Sequence, residues 1–388
     1  MSATVGPMIV CLLALTKPSG ASAADSVGLP TQACRPMTWS PLRSGAPNPG
    51  VLPQPTTQDA GEAALKSLFE AIQAKNPLDV VASAQRAFVY GSIKKAIPQL
   101  LELSAHKDPT IRAVAILAFA PIAWEAEPAI PTIIQRLSDP DVRVRKSAAK
   151  TLGLLGPNAK IAATGLEKAL ADPGYEVRFR AAWALGRLGV ASPSVLKKVH
   201  AALSDESLLV RFMAAQALWF LAKDANAIAP VLSDMLTRGN SSDRERAAGL
   251  AGDIGEACHA TVPALIANIH NGSTEVRVRV VSALGRIGPK ASAASGPLVD
   301  ALQDSDFRVV GNAQRALARI GSPAVPLLSK ALAGSDVRKR RAALAALSGF
   351  SDVPETVRNA VRALVDDVDE TTRLLASKLL KKWMQEKR

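Results

Sequence analysis

The stretch DPGYEVRFRAAWALGRLG, residues 172–189, ends in GRLG, whose two glycines suggest a phosphate loop, and holds three arginines that suggest a nucleic-acid contact. Neither reading survives comparison of the chain with itself. Residues 139–156 read DPDVRVRKSAAKTLGLLG, and residues 205–222 read DESLLVRFMAAQALWFLA. EVRVRVVSALGRIG follows at 275–288, and the weaker DFRVVGNAQRALARIG at 306–321. One arginine column runs through Arg112, Arg145, Arg178, Arg211, Arg244 and Arg277 in steps of 33 residues. It lapses at Val310 and resumes at Arg340 and Arg373, after a deletion of three residues. A proline column keeps the same register through Pro98, Pro131, Pro230, Pro263 and Pro326. Self-similarity at a fixed period of this length marks a solenoid. The stretch is one brick of an array, not a site.

Each brick reads as two helices. The first opens near an acidic residue, carries the column arginine and closes at Leu-Gly-x-Leu-Gly. The second opens at the proline column, as in VPALIANIH (262–270) or IPTIIQRLS (130–138), and ends at an Asp-containing turn. Proline suits a helix start, where its missing N–H has no intrahelical partner. Glycine suits a helix end, because it takes positive φ at little cost. No segment alternates as a strand would, so the chain is predicted to be all-α. One pair of such short helices is marginal alone. Ordering costs about 1–2 kcal/mol per residue in backbone entropy, against about 1.5–3 kcal/mol for each large apolar side chain buried. Stacking on neighbours supplies the missing burial, so the repeats should form one body.

The 388 residues are 48% hydrophobic but only 4% aromatic, which leaves much of the packing to small side chains. The formal net charge is +13, of which residues 1–60 carry only +1. A basic array favours acidic partners: nucleic acid, anionic lipid, acidic polymer or acidic protein. Residues 1–24 hold a short apolar run from Met8 to Leu15, followed by Ala21-Ser22-Ala23, an A-x-A cleavage pattern. This reads as a signal peptide, although no Lys or Arg precedes the run. Residues 25–58, with APNPGVLPQP, read as a Pro-rich tether. Residues 59–92 read as degenerate N-terminal capping helices and 93–388 as the array, closed by TTRLLASKLLKKWMQEKR (371–388) as a C-terminal cap. Cys34 and Cys258 are either a disulfide or two free thiols. No other segment has the 18 or so apolar residues of a membrane helix.

The spacing Asp-x5-Arg (Asp139 with Arg145, Asp172 with Arg178, Asp205 with Arg211), followed by AAxALGxLG and the second-helix proline, resembles HEAT repeats. The 33-residue unit looks most like the short bacterial form named after phycobilisome lyases. The resemblance covers about residues 76–388. It implies a right-handed α-solenoid of the HEAT/armadillo type. It also implies that these aspartates and arginines, with Arg244 and Arg277, form a structural ladder between neighbouring repeats. The T-P-L-H-x-A signature of ankyrin units is absent.

Signals for chemistry are missing. None of His106, His200, His259 and His270 lies in HExxH or pairs with cysteines at zinc spacing, and neither GxSxG nor a P-loop occurs. No catalytic residue, metal or cofactor is therefore expected. Two surfaces are candidates for a partner. Six of the fifteen aromatics fall within residues 175–220, and Phe179 and Trp183 sit one helical turn apart on one face. With Phe212 and Trp219 they form the aromatic candidate. The second candidate is a second-helix column containing Gln135, Lys168, Asp234, Asp300 and Lys330. Its mixed signs argue against a nucleic-acid groove, where successive phosphates want uniform positive charge. Excess positive charge lies instead on the first helices, at Lys150, Arg187, Arg286, Arg315, Arg319 and Lys382. The expectation is a non-enzymatic, exported scaffold that binds protein. Alternatives are a binder of acidic polymer or nucleic acid and, by resemblance only, a phycobilin-lyase-like enzyme or chaperone.

Overall fold

The computed structural model describes residues 57–385, and among the described residues regular structure is helical throughout. The expected signal peptide, most of the tether and Cys34 lie outside those residues. Helix α1 (Thr57–Gln73) begins two residues ahead of the expected boundary. Helix pairs then follow in register. They are α2 (Pro77–Val89) with α3 (Ile97–Leu103), α4 (Pro109–Leu117) with α5 (Ile130–Gln135), and α6 (Val142–Leu155) with α7 (Ala163–Ala169). Next come α8 (Tyr175–Leu188) with α9 (Pro193–Ala202), α10 (Leu208–Ala222) with α11 (Ala225–Arg238), and α12 (Ser241–Ile254) with α13 (Val262–Ile266). Then α14 (Thr274–Ile287) pairs with α15 (Ser295–Asp300), α16 (Phe307–Ile320) with α17 (Val325–Leu332), and α18 (Val337–Leu347) with α19 (Glu355–Ala363). Helix α20 (Glu370–Gln385) closes the stack, its Trp383 buried with Nε1 donating to the Phe350 carbonyl at 2.7 Å and Arg358 over the ring.

The two glycines of the Leu-Gly-x-Leu-Gly pattern do different work. The second is the helix stop: Gly156, Gly189, Gly255, Gly288 and Gly321 all have positive φ. The first lets neighbouring first helices touch through backbone. A Cβ at Gly186 would lie 2.9 Å from the Cα of Ala217, and at Gly285 2.8 Å from that of Ala316. Gly252 meets Ala283 in the same way. So α6–α8–α10 and α12–α14–α16 stack closely.

Between α10 and α12 the stack opens. Trp219 stands where the glycine column would place glycine, and these two first helices barely touch; α12 docks on α11 instead. No short 3-10 connection separates α10 from α11. Lys223 takes φ 56° and Asp224 caps α11 by accepting from the Ala227 amide at 3.1 Å. Helix α11 therefore starts early, which places Pro230 inside it, whereas Pro98, Pro131, Pro263 and Pro326 fall in the first turn as expected.

Candidate partner-binding surfaces

The arginine column builds one repeated motif. Arg145 donates from Nε and Nη2 to the Asp172 carboxylate at 2.6 and 3.0 Å, and from Nη1 to the carbonyls of Asp139 and Pro140 at 3.0 and 3.1 Å. One side chain thus clamps its own turn and reaches the next repeat. Arg112 on Asp139, Arg178 on Asp205, Arg277 on Asp304 and Arg340 on Asp367 repeat the ion pair. The pairing runs 27 residues forward; Arg145 meets only the carbonyl of Asp139, six residues before it. Burial pushes the carboxyls of Asp139 and Asp205 up, but the hydrogen bonds from Arg112 and Arg178, those from the Asp141 and Ser207 amides and the nearby arginine charges together outweigh it and hold both below the ordinary value of 3.8. Asp141, two residues on, caps α6, and hydrogen bonding from Arg143 lowers its carboxyl to about 2.

The ladder lapses at three positions. The residue 27 after Arg211 is Arg238, so Arg211 turns to Asp234 of its own repeat at 2.9 Å. The residue 27 after Arg244 is Asn271; Arg244 donates to the Gly239 carbonyl at 3.0 Å and belongs to no ion pair among the described residues. At Val310 the arginine itself is missing. There a cleft of about 560 Å³ opens, lined by Phe307, Val310 and Leu375 together with Asp304 and Ser305 of the turn an arginine would clamp.

The aromatic candidates separate into different environments. Phe212 is buried in the core and offers no surface. Trp183 is half-buried in a slot on α6: a Cβ on Gly153 would come 2.3 Å from its ring, so only glycine leaves room for it. Phe179 is half-buried beside Arg180. On the same two helices, burial and the charge of Arg180 push the Lys150 ammonium down. At the end of α10, Trp219 is half-buried but Phe220 is 58% exposed, and the Lys223 ammonium lies 4.7 Å from the Trp219 ring centre and 5.8 Å from that of Phe220. Phe220 is the addition that the structure makes to the aromatic set.

On the second helices, Gln135, Lys168, Asp300 and Lys330 are exposed. Asp300 is paired with Lys339 at 3.0 Å, and Asp234 is held by Arg211 and Arg238. Cys258 is buried, its thiol pushed up by that burial, while the adjacent His259 is exposed. Among the described residues no cluster of His, Cys, Asp or Glu could hold a metal, and no helix is long and apolar enough to cross a membrane.

Helix pairs stacked in register define an α-solenoid. A family model for HEAT repeats matches residues 97–164, 163–251 and 262–348, more than half of the chain, and the protein belongs to that family. Its fold is similar to that of Kap121p (TM-score 0.59, 15% identity, covering 83% of this chain and 40% of that one). It is similar also to importin beta (TM-score 0.52, 16% identity, covering 86% and 52%). The chain thus spans about half or less of those two proteins, and the likeness is one of fold alone. No curated protein matches the sequence.

Proposed function

We propose that the protein is a non-catalytic scaffold that grips another protein at the seam where α10 parts from α12. The observation that carries this reading is Phe220, largely exposed beside Trp219 at the one junction where close stacking of first helices gives way between α4 and α16. A large ring held on a rigid helix binds with little entropy cost, and Trp and Tyr-like anchors dominate interface energetics. The exposed second-helix column would give the mixed-charge rim such an anchor needs. Export is part of the proposal and rests on the Ala21-Ser22-Ala23 pattern after an apolar run.

The test is photo-crosslinking in native cells with a benzophenone amino acid at position 220, compared with the same probe at exposed Ile161. A discrete protein adduct from 220, absent from 161 and abolished by Trp219→Ala, is expected. Equal or absent crosslinking at the two positions would remove the seam as a partner site. N-terminal sequencing of the same material tests export: a start at Ala24 or Asp25 is expected, and an intact Met1 would count against it.

A further inference from the structure

At Gly153, Gly252 and Gly285 a glycine–alanine contact between stacked first helices leaves room for a side chain above it. The slots have different occupants. Over Gly153, between α6 and α8, the slot is filled by the ring of Trp183. Over Gly252, between α12 and α14, the stem of Arg286 crosses the floor and its Nη1 donates to Asp253 at 2.7 Å, so that slot is closed and neutral. Between α14 and α16 the position equivalent to Trp183 is Arg315, and no aromatic ring or carboxylate enters. There a cavity of about 290 Å³ remains, walled by Ser282, Arg286, Asn312, Arg315 and Arg319 over Gly285.

Three guanidinium groups line this slot and no carboxylate does; Arg286 alone of the three is ion-paired, to Asp253 of α12, among the described residues. Among the described residues Arg315 reaches only the Asn312 side-chain oxygen, at 3.0 Å, and Arg319 makes no ion pair. Arg315 and Arg319 are four residues apart on one face, and a like-charged pair so placed works against its own helix. The surroundings do not relieve it: residues 274–347 hold twelve Lys and Arg against five Asp and Glu. The cavity sits at the small end of ligand clefts. It suits one oxyanion held by forked guanidinium donors, with the Ser282 hydroxyl as a neutral donor, while Asn312 holds Arg315 through its Oδ1.

We propose that the slot between α14 and α16 binds a phosphate group, either as a free anion or carried on a peptide, with Arg315 and Arg319 as its principal ligands and Arg286 as the third. This goes beyond the scaffold reading and stands or falls separately from it, because the seam at Phe220 lies on other helices.

Calorimetric titration of the full chain, at low ionic strength where surface electrostatics is least screened, would use sodium phosphate and a neutral-flanked phosphoserine peptide with its unphosphorylated form. The Arg315→Gln/Arg319→Gln variant should bind at least roughly tenfold more weakly, as loss of two charge-assisted contacts implies. The Lys197→Gln/Lys198→Gln variant removes the same charge on α9 and should stay within about twofold of the parent. Ser282→Glu, which places a carboxylate in the slot, should also abolish binding while circular dichroism is unchanged. A phosphopeptide markedly tighter than phosphate supports a peptide-borne group, and equal affinities support a small free anion. No binding of either probe by the parent, or equal weakening in the two double variants, would overturn the proposal.

Discussion

Two stretches of this array follow one plan with different discipline. From Arg112 to Asp205 every repeat is tied to the next by an arginine that clamps its own turn and pairs 27 residues ahead. From Arg211 to Asn271 the plan fails in consecutive repeats, one arginine folding back onto Asp234 and the next finding no carboxylate. The difference teaches what the column is for. Arg178 and Asp205 are almost wholly buried, so the pair locks geometry where water cannot substitute for either partner. At Arg211 the loss coincides with Trp219 in the glycine column, and there the first helices part and aromatic surface appears; at Arg244, where Gly252 is kept, α12 and α14 stay in close contact.

The comparison can be broken first at its strongest rung. Arg178→Ala should cost about 3–5 kcal/mol, since it strands a buried carboxylate, whereas Arg244→Ala should cost under about 1 kcal/mol. Urea unfolding followed by local hydrogen exchange would read both, and equal losses would refute the distinction. Acid should separate the same regions. The folded carboxyls of Asp139, Asp205 and Asp304 lie below the unfolded value of 3.8, so their contribution is complete above that pH and is lost as pH falls through the folded values. Exchange protection on lowering the pH below about 4 should therefore fail at α4–α10 and α14–α16 more steeply than at α12, which carries no rung.

Glycine substitutions sharpen the contrast at a smaller scale. Gly186→Ala drives a methyl into the backbone of Ala217 and should cost about 1–3 kcal/mol. Gly249 lies on α12 facing open space, so Gly249→Ala should stabilise by about 0.5–1 kcal/mol. Opposite signs in thermal unfolding are the expected result. Similar in size is the effect of Val310→Arg, which restores a clamp for the turn carbonyls of Asp304 and Ser305 but meets Gly334, six residues before Arg340, where an aspartate would be needed. It should stabilise by about 1 kcal/mol, the worth of ordinary hydrogen bonds. No gain in urea midpoint would mean that the arginine acts only through its ion pair.

The array was legible in the sequence because a repeat writes its own alignment. Its arginine, proline and glycine columns give the period and the two-helix plan of the unit. The direction of the ladder was not legible, for an arithmetical reason: in a 33-residue period, an aspartate six before one arginine is also 27 after the previous one. Only the fold chooses. The first glycine of each Leu-Gly-x-Leu-Gly pattern reads as a stop by composition, yet it serves a contact with a helix some thirty residues on. Trp183 was hard to place for the same reason, since its slot depends on Gly153 of another helix. Phe212 shares its column with Lys146, which extends to Glu176 at 2.9 Å while the apolar ring turns into the core. Phe220 carried a signal that could have been used, an aromatic at a column elsewhere held by Arg187, Asp253 and Arg286.

The inward turn of Arg211 has a consequence for how the chain can be divided. Every ladder bond made by Arg112, Arg145 and Arg178 crosses a repeat boundary, so a cut there strands charge on both sides. Arg211 closes on Asp234 within its own repeat, and no rung spans the turn at Gly239–Asn240. Among the described residues that turn is one of three without a rung, with those at Asn271 and Gly334, and it is the one where the first helices also part. Limited proteolysis should nick there first, and fragments ending at that turn should be the ones that can be expressed, exchanged or fused without leaving a broken bond behind.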